Sequence, residues 1–209
     1  MTKHDAIVYV VDDDDAIREA LGGLLRSVGL TMIGSGSPRE FMAHDRADAP
    51  SCLVLDVRLP GASGLEFQRE LAAANENIPI IFITGHGDIP MSVRAMKAGA
   101  VEFLTKPFRD QDLLDAIQGA LATDRARRDQ ERSLSDLRTR LASLTEREKQ
   151  VMAILVQGHV NKQIGAAIGT TESTVKAHRA QIMRKMQAAT LADLIRMAGR
   201  LQFGAEPVA

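Results

Sequence analysis

The sequence predicts an α/β domain built on a five-stranded, doubly wound parallel sheet, joined by a helical linker to an all-α domain. Up to residue 122, short apolar runs alternate with amphipathic stretches, which is the pattern of buried parallel strands connected by helices. The stretch 110–143 contains no proline and favours one long helix or two nearly continuous ones. Glycines then separate four short helical stretches. We therefore expect an α/β domain at 1–122, a linker at 123–142 and an all-α domain at 143–209.

Each strand of the α/β domain is predicted from an apolar run, and each crossover from an amphipathic stretch. The run at 80–83, Ile-Ile-Phe-Ile, is continuous, as expected for a strand covered on both faces. The strands are expected at residues 7–11, 31–34, 52–55, 80–84 and 101–104. The crossover helices are expected at residues 16–28, 64–74 and 91–98. Ligands of open parallel sheets bind beyond the carboxyl ends of the strands, so a site is expected there.

The linker is polar in its centre and apolar towards its end. Seven of the nine residues from 124 to 132 are charged, which indicates a solvated stretch. Leu134, Leu137, Leu141 and Leu144 then recur at spacings of three and four, as in a coiled-coil seam. So short a seam equally fits a helix that packs this stripe on its own domain, and both alternatives stay open.

Composition excludes several classes of protein. Hydrophobic residues at 45% and charged residues at 25% are close to the averages of globular proteins. No apolar run approaches the roughly 20 residues that span a bilayer, so we expect a cytoplasmic protein with no membrane partner. The single cysteine, Cys52, excludes an intramolecular disulfide and a thiolate metal site, and its expected place is a buried strand.

Charge is distributed unevenly along the chain. Residues 1–122 carry 11 Lys/Arg against 18 Asp/Glu, residues 123–142 carry 6 against 4, and residues 143–209 carry 9 against 5. The acidic part suits a metal or phosphate site, and the basic part suits a polyanion. Moderate asymmetry of this kind is common, so the motifs must decide.

Polar residues follow the predicted strands at one rim of the sheet. They are Asp12 and Asp13 after the first strand, Asp56 at the end of the third, Thr84 at the end of the fourth and Lys106 beyond the fifth. Three carboxylates form an oxygen ligand set that suits Mg2+. A nearby cation lets one carboxylate attack phosphorus, while an ammonium and a hydroxyl group neutralise charge on the transferring oxygens.

Each of these residues also has an ordinary structural alternative. The acidic run from Asp12 could cap a helix, Thr84 could be a plain strand-end residue, and Lys106 could be a solvated loop charge. Their joint spacing disfavours these alternatives. A phosphatase with Asp56 as covalent nucleophile is disfavoured too, because such enzymes commonly place a second acid two residues later, where this chain has Arg58.

Ordered motifs over residues 7–122 resemble those of the receiver domains of two-component response regulators. They are VVDDDD from Val10, LVLDVRLPGASG from Leu53, ITGHGD from Ile83 and EFLTKPF from Glu102. The resemblance implies a flavodoxin-like (CheY-like) fold with strand order 2-1-3-4-5 and a phosphoacceptor aspartate, Asp56. It further implies a Mg2+ (or Mn2+) site, whose ligands would be Asp12 through water, Asp13, Asp56 and the main-chain carbonyl of Arg58.

The same resemblance implies a switch. Thr84 and Lys106 would turn toward the phosphoryl group, while Phe103, a tyrosine in many relatives, would swing inward and remodel the adjacent face. The peptide bond that follows Lys106 is expected to be cis. Arg58 and His86 flank the expected path of a hydrolytic water and would set the phosphoryl lifetime, or else they line an exposed rim.

The all-α domain contains a predicted helix-turn-helix. Thr145 and Glu148 form a T-x-x-E capping box at the start of the first of the four helices. Helices at 161–168 and 171–187 are joined by a short turn at Gly169, which makes the second the candidate recognition helix. Its predicted buried face consists of Val175, Ile182 and Met186.

Three motifs over residues 144–198 resemble the LuxR-type output domain of the NarL/FixJ subfamily. They are LTEREKQVM, NKQIGAAIG and TESTVKAHRAQIMRKM. Carried over, Lys176, Ala177 and Ala180 face base edges, so readout would depend on Lys176, on thymine methyl groups and on DNA shape. Residues expected near phosphates are Asn161, Lys162, Thr171, Ser173 and His178, although the histidine could instead be a packed or a plain surface residue. Arg179, Arg184 and Lys185 would add positive charge.

Together the resemblances imply a phosphorylation-controlled transcription factor, not a turnover enzyme, that could still dephosphorylate itself. The implied partners are a sensor histidine kinase, promoter double-stranded DNA, RNA polymerase and, on phosphorylation, a second copy of the chain. One alternative is a DNA-binding dimer that works without phosphate. The intact set of Asp13, Asp56, Thr84 and Lys106 argues against it.

Overall fold

The computed structural model describes residues 6–85 and 87–204. The chain divides into two compact units, Met1–Arg128 and Asp129–Ala209. Over the described residues, no helix is both long and apolar enough to cross a bilayer.

The first unit is built on a five-stranded parallel sheet. Its strands are β1 (Ile7–Val11), β2 (Thr31–Ser35), β3 (Ser51–Asp56), β6 (Ile80–Thr84) and β7 (Glu102–Thr105). Two very short strands, β4 (Arg58–Leu59) and β5 (Ala62–Ser63), form a separate antiparallel hairpin directly after β3. The sheet order is β2-β1-β3-β6-β7, which confirms the predicted order 2-1-3-4-5 once the hairpin is left out.

Among the described residues of this unit, five helices begin. They are α1 (Asp15–Ser27), α2 (Pro38–Ala43), α3 (Gly64–Ala73), α4 (Ile89–Lys97) and α5 (Asp110–Ala142). The sequence patterns did not predict α2, because six residues are too few to show helical periodicity. Its start nevertheless carries local signals: the Ser37 hydroxyl accepts from the backbone N–H of Glu40, and Pro38 occupies the first turn.

The sheet is covered on both faces. Because side chains alternate along a strand, Tyr9 packs on one face against Phe41, with ring centroids 5.4 Å apart, while Val8 lies on the other face with Ile117. Cys52 belongs to this second cluster and is fully buried, as predicted. Burial, followed by the charge of Asp124, raises the pKa of the Cys52 thiol to about 12, so the thiol is a packed apolar group.

Asp124 corrects the expectation that the stretch 124–132 is solvated. Its side chain is only 1% exposed. The backbone N–H of Ser51 donates to Asp124 Oδ2 at 2.9 Å, and Arg127 and Arg128 donate to the same carboxylate at 2.6 and 2.7 Å. Burial raises the pKa of Asp124, but the bonds from Arg128, Arg127 and Ser51 outweigh it and hold the pKa below its ordinary value. The polar stretch 124–132 therefore contributes a buried carboxylate, which forms an ion cluster with two arginines at the start of β3.

Up to residue 204, where the described part of the chain ends, the second unit contains four further helices, as predicted. They are α6 (Glu146–Leu155), α7 (Asn161–Ile168), α8 (Glu172–Met186) and α9 (Leu191–Arg200). The predicted capping box of Thr145 and Glu148 is present at the start of α6. Leu144 belongs to the core of this unit and Leu141 packs against it. Of the two alternatives for the leucine stripe, these two leucines therefore fit packing on their own domain.

Candidate functional site

The acceptor candidate Asp56 is the last residue of β3. Its carboxylate and that of Asp12, the residue after β1, both contact the ammonium group of Lys106. Lys106 Nζ donates to Asp12 Oδ2 at 2.6 Å and to Asp56 Oδ2 at 2.8 Å. Asp12 is fully buried and Asp56 nearly so. The second oxygens are also bonded, since the backbone N–H groups of Asp14 and Arg58 donate to Asp12 Oδ1 and Asp56 Oδ1 at 2.9 and 3.0 Å. All four carboxylate oxygens of Asp12 and Asp56 are therefore hydrogen-bonded.

Neighbouring strands bring Thr84 and Lys106 to the same rim. Thr84 pairs with Thr105 at the ends of β6 and β7, and the backbone N–H of Lys106 donates to the Thr84 carbonyl at 2.7 Å. The bond between Lys106 and Pro107 is cis, as expected. Thr84 is fully buried, so its place is set by the sheet and not by a loose loop.

The acidic run after β1 serves two purposes. The Asp14 carboxylate accepts from the backbone N–H groups of Ala16 and Ile17 and caps α1. Asp12 and Asp13 remain, and one carboxylate oxygen from each lies within 4.8 Å of one from Asp56. The helix-cap alternative thus holds for Asp14, while Asp12 and Asp13 join Asp56 in a set of oxygen donors that fits a small divalent cation.

The charge of Lys106 is secured by its two partners. Burial lowers the pKa of Lys106, but hydrogen bonds and charge attraction from Asp12 and Asp56 raise it. The resulting pKa lies above the ordinary 10.5. The side chain therefore remains an ammonium group at neutral pH. It can neutralise negative charge that builds up beside Asp56.

Gly64, the first residue of α3, lets the backbone approach the acceptor. A Cβ added there would overlap the carbonyl oxygen of Asp56 and lie 3.0 Å from the Cα of Val57. The Gly64 N–H donates to the Val57 carbonyl at 2.9 Å. Only glycine fits this approach, which identifies the final letter of the motif LVLDVRLPGASG as a support for Asp56.

Phe103 lies beside the site and is partly buried. Its ring centroid is 6.2 Å from that of Phe82 in the core. A Cβ at Gly87 would lie 2.9 Å from the Phe103 ring and 3.1 Å from the Thr84 methyl group, so the loop after β6 packs against both. Arg58 is exposed at the rim. His86, the other residue expected beside a hydrolytic water, lies outside the described residues.

Helices α7 and α8 form the predicted helix-turn-helix. Gly169 ends α7 with a φ of 67°, a left-handed conformation that favours glycine, and Thr171 caps α8 through Thr174 N–H. The turn packs tightly on α7, since a Cβ at Gly165 would lie 2.8 Å from the Thr170 carbonyl oxygen. The predicted buried face of α8 is confirmed: Val175, Ile182 and Met186 are fully buried.

Comparisons with known proteins identify both domains. Residues 8–118 match the family described as response regulator receiver domain, and residues 142–198 match bacterial regulatory proteins of the luxR family. Nodulation protein W of Bradyrhizobium diazoefficiens is 54% identical over 96% of this chain and 88% of its own length. Transcriptional regulatory protein FixJ of Azorhizobium caulinodans is 44% identical over 91% and 90%. The solved structure of response regulator StyR superposes with a TM-score of 0.86 at 47% identity, covering 94% of this chain and 99% of that one.

The chain is a response regulator of the NarL/FixJ subfamily. Its receiver domain and LuxR-type domain make it a transcriptional regulator. DNA is a partner by virtue of the second domain, and a kinase by virtue of the first. Receiver domains of this family bind Mg2+ at an acidic pocket, for which the described residues supply the aspartate cluster.

The response regulator exposes most of the residues expected to touch DNA. Lys176 is 67% exposed, with a loose 3.5 Å ion pair to Glu172 one turn earlier. The other exposed members of the expected set are Lys162, Thr171, Ser173, Ala177, Ala180 and Arg184. His178 is half-buried. The helix α8 thus presents Lys176, Ala177 and Ala180 on the face opposite its core.

Three members of the expected set are held inside the domain. The Arg179 guanidinium donates to Asn161 Oδ1 at 2.7 Å, which ties α8 to α7. Lys185 Nζ donates to Glu148 Oε2 at 2.6 Å, which ties α8 to α6. The motifs did not indicate Glu148 as a partner of α8, since a capping box explains the residue from local sequence alone.

Proposed function

We propose that this response regulator accepts a phosphoryl group from a sensor histidine kinase on Asp56 and uses it to control promoter binding. The observation that carries this proposal is the position of Lys106, whose ammonium group contacts both Asp12 and Asp56. A buried carboxylate at a strand end, with a fixed cation on one side and further carboxylates beside it, is arranged for attack on phosphorus.

In the proposed transfer, a carboxylate oxygen of Asp56 attacks the phosphorus of a phosphohistidine. The new O–P bond forms as the P–N bond breaks, and the imidazole leaves. Lys106, already 2.8 Å from Asp56, is placed to stabilise negative charge on the phosphoryl oxygens, and the Thr84 hydroxyl would donate to another of them. The acyl phosphate is lost when water attacks phosphorus and the O–P bond to Asp56 breaks.

Asp12, Asp13, Asp56 and the main-chain carbonyl of Arg58 would hold Mg2+ or Mn2+. The three carboxylate oxygens within 4.8 Å are the hard donors that such ions take. When bound, the ion neutralises charge on the phosphoryl oxygens. Arg58 and His86 would limit access of water and so set the lifetime of the acyl phosphate. This hydrolysis would be self-dephosphorylation and not turnover of a substrate.

In the output domain, Lys176, Ala177 and Ala180 would face base edges. Phosphates would be contacted from exposed positions near the start of the helix-turn-helix, which are Lys162, Thr171 and Ser173, with Asn161, His178, Arg179 and Arg184 nearby. With a single long side chain toward the bases, readout would use thymine methyl groups and DNA shape as well. Two copies of the chain would bind adjacent half-sites and act with RNA polymerase in the cytoplasm.

Control would operate through a shift between two populations. The phosphoryl group adds about one negative charge at the receiver rim, so it must bias an element with two arrangements. Phe103, partly buried beside Thr84 and Gly87, is the candidate for that element, and the segment 123–142 is the candidate lever. Turning the switch over nearly completely takes roughly 5.5 kcal/mol of differential stabilisation.

Intact mass spectrometry tests the proposed acceptor. Full-length protein incubated with acetyl phosphate and Mg2+ is expected to gain the mass of one phosphoryl group, while Asp56→Asn gains none. An equal gain in Asp56→Asn would refute the assignment. A gain without any divalent cation would remove the metal from the proposed chemistry.

A further inference from the structure

Lys185 lies in the last turn of α8, yet its ammonium group is engaged inside the domain. It contacts Glu148 Oε2 at 2.6 Å, and the Glu148 side chain is 6% exposed against 27% for Lys185. A buried carboxylate that loses its cation is strongly destabilised. Releasing Lys185 to a DNA phosphate would therefore leave Glu148 uncompensated, which opposes such a contact.

Glu148 is a rigid anchor because the start of α6 fixes it. The same oxygen, Oε2, accepts from the backbone N–H of Thr145 at 2.8 Å, and the Thr145 hydroxyl accepts from the Glu148 N–H in return. This capping box sets the carboxylate relative to the axis of α6. A lysine on α8 that bonds to it is thereby held to one position on a neighbouring helix.

The apolar contacts between α6 and α8 do not provide this constraint by themselves. Val151 and Met152 of α6 share a core with Ile182 and Met186 of α8, but hydrophobic contact is non-directional. The ion pair adds the directional element at the carboxyl end of α8. At the middle of α8, Arg179 bonds to Asn161 of α7, so α8 is tied at its centre and at its carboxyl end.

We propose that Glu148 and Lys185 are positioning residues that orient the recognition helix, and that Lys185 makes no contact with DNA phosphate. The proposal rests on the DNA-binding function proposed above and assigns Lys185 a different part in it. Glu148 is acidic and would by its charge alone repel DNA, so its contribution to binding would be to hold Lys185 and thereby α8 in place.

Salt-dependent DNA binding separates a positioning role from phosphate contact. Fluorescence anisotropy would measure binding of the full-length protein, with acetyl phosphate and Mg2+, to a short labelled duplex at several NaCl concentrations. The variants are Lys185→Met, Lys185→Arg and Glu148→Gln. Gln is compatible with the capping box but removes the charge, and circular dichroism would verify helix content. Lys162→Met, at an exposed position expected near phosphate, is the matched control.

The expected result for Lys185→Met and Glu148→Gln is binding roughly tenfold weaker at every salt concentration, with the slope of log K against log salt unchanged. Lys185→Arg should recover most of the affinity. Lys162→Met should instead make this negative slope shallower by about 0.9, the value of one phosphate contact.

Two results would overturn the proposal. One is a slope that becomes shallower by about 0.9 in Lys185→Met, as for a lost phosphate contact. The other is tighter binding by Glu148→Gln, which is what loss of a negative charge alone would produce. If the unsubstituted protein shows no salt-dependent binding, the DNA-binding function fails together with this proposal. If the unsubstituted protein binds DNA with the expected salt dependence and Lys185→Met has a shallower slope, only the positioning role is refuted.

Discussion

The ammonium nitrogen of Lys106 lies between the carboxylate that follows β1, 2.6 Å from Asp12 Oδ2, and the carboxylate that ends β3, 2.8 Å from Asp56 Oδ2. A cation supplied by the chain thus occupies part of the coordination space that the same carboxylates offer to a divalent ion. Lys106 stabilises the acidic rim and, by its charge, also weakens the attraction of that rim for metal.

Replacing Lys106 by methionine is expected to separate these effects. Loss of the positive charge should raise affinity for Mg2+, so the increase in Tm on adding Mg2+ should exceed that of the unsubstituted protein. The rate of phosphorylation by acetyl phosphate should fall about a hundredfold, the cost of removing one charge-stabilising donor. Lys97→Met, at an exposed position on α4, should change neither value. A smaller Mg2+-dependent rise in Tm would contradict this account of Lys106.

The ion cluster of Asp124 predicts a pH-dependent contribution to stability. Because the folded pKa of Asp124 lies below its ordinary 3.8, the stabilisation is fully present well above that value and is lost as pH falls through the lower, folded pKa. Asp124→Asn should reduce the free energy of unfolding by about 2–3 kcal/mol at neutral pH.

Urea unfolding at a series of pH values measures this contribution. The difference between the two proteins should hold down to about pH 5 and shrink as pH falls below 3.8. Asp129→Asn, at an exposed site five residues on, should stay within about 0.5 kcal/mol throughout. A difference that persists unchanged at the acid end would show that the charge of Asp124 is not its source.

Two glycine-to-alanine substitutions, one expected to lower stability and one to raise it, test whether Gly64 supports the position of Asp56. Gly64→Ala places a methyl group against the carbonyl of Asp56 and should cost about 1–3 kcal/mol of stability while slowing phosphorylation. Gly119→Ala, within α5 and with nothing within 4 Å of the added Cβ, should gain up to about 1 kcal/mol. Thermal unfolding and the acetyl phosphate reaction measure both. Normal phosphorylation of Gly64→Ala would remove this glycine from the account.

The sequence predicted those features whose signals are local or follow from the topology. Asp12, Asp56 and Lys106 end or follow parallel strands, and a parallel sheet brings such ends to one rim, so their meeting was foreseeable from apolar runs alone. The buried face of α8 followed from helical spacing. The capping box of Thr145 and Glu148 is a motif four residues long.

Pairings between distant segments were not predictable in this way. Glu148 and Lys185 are 37 residues apart, and Asp124 meets the N–H of Ser51 across 73 residues. Charged residues are solvated by default, so a single sequence gives no reason to bury Asp124 or to withdraw Lys185 from DNA. Only packing of the helices determines which charges face inward.

The central claim, that modification of Asp56 controls DNA binding, is tested most directly by one comparison. Fluorescence anisotropy would measure affinity for a duplex selected from a random-sequence pool, for the unsubstituted protein and Asp56→Asn, with and without acetyl phosphate and Mg2+. The account predicts that the phosphodonor raises the affinity of the unsubstituted protein at least tenfold, about 1.4 kcal/mol, and leaves Asp56→Asn unchanged. Equal affinities of the unsubstituted protein under both conditions, or an equal gain in Asp56→Asn, would contradict it.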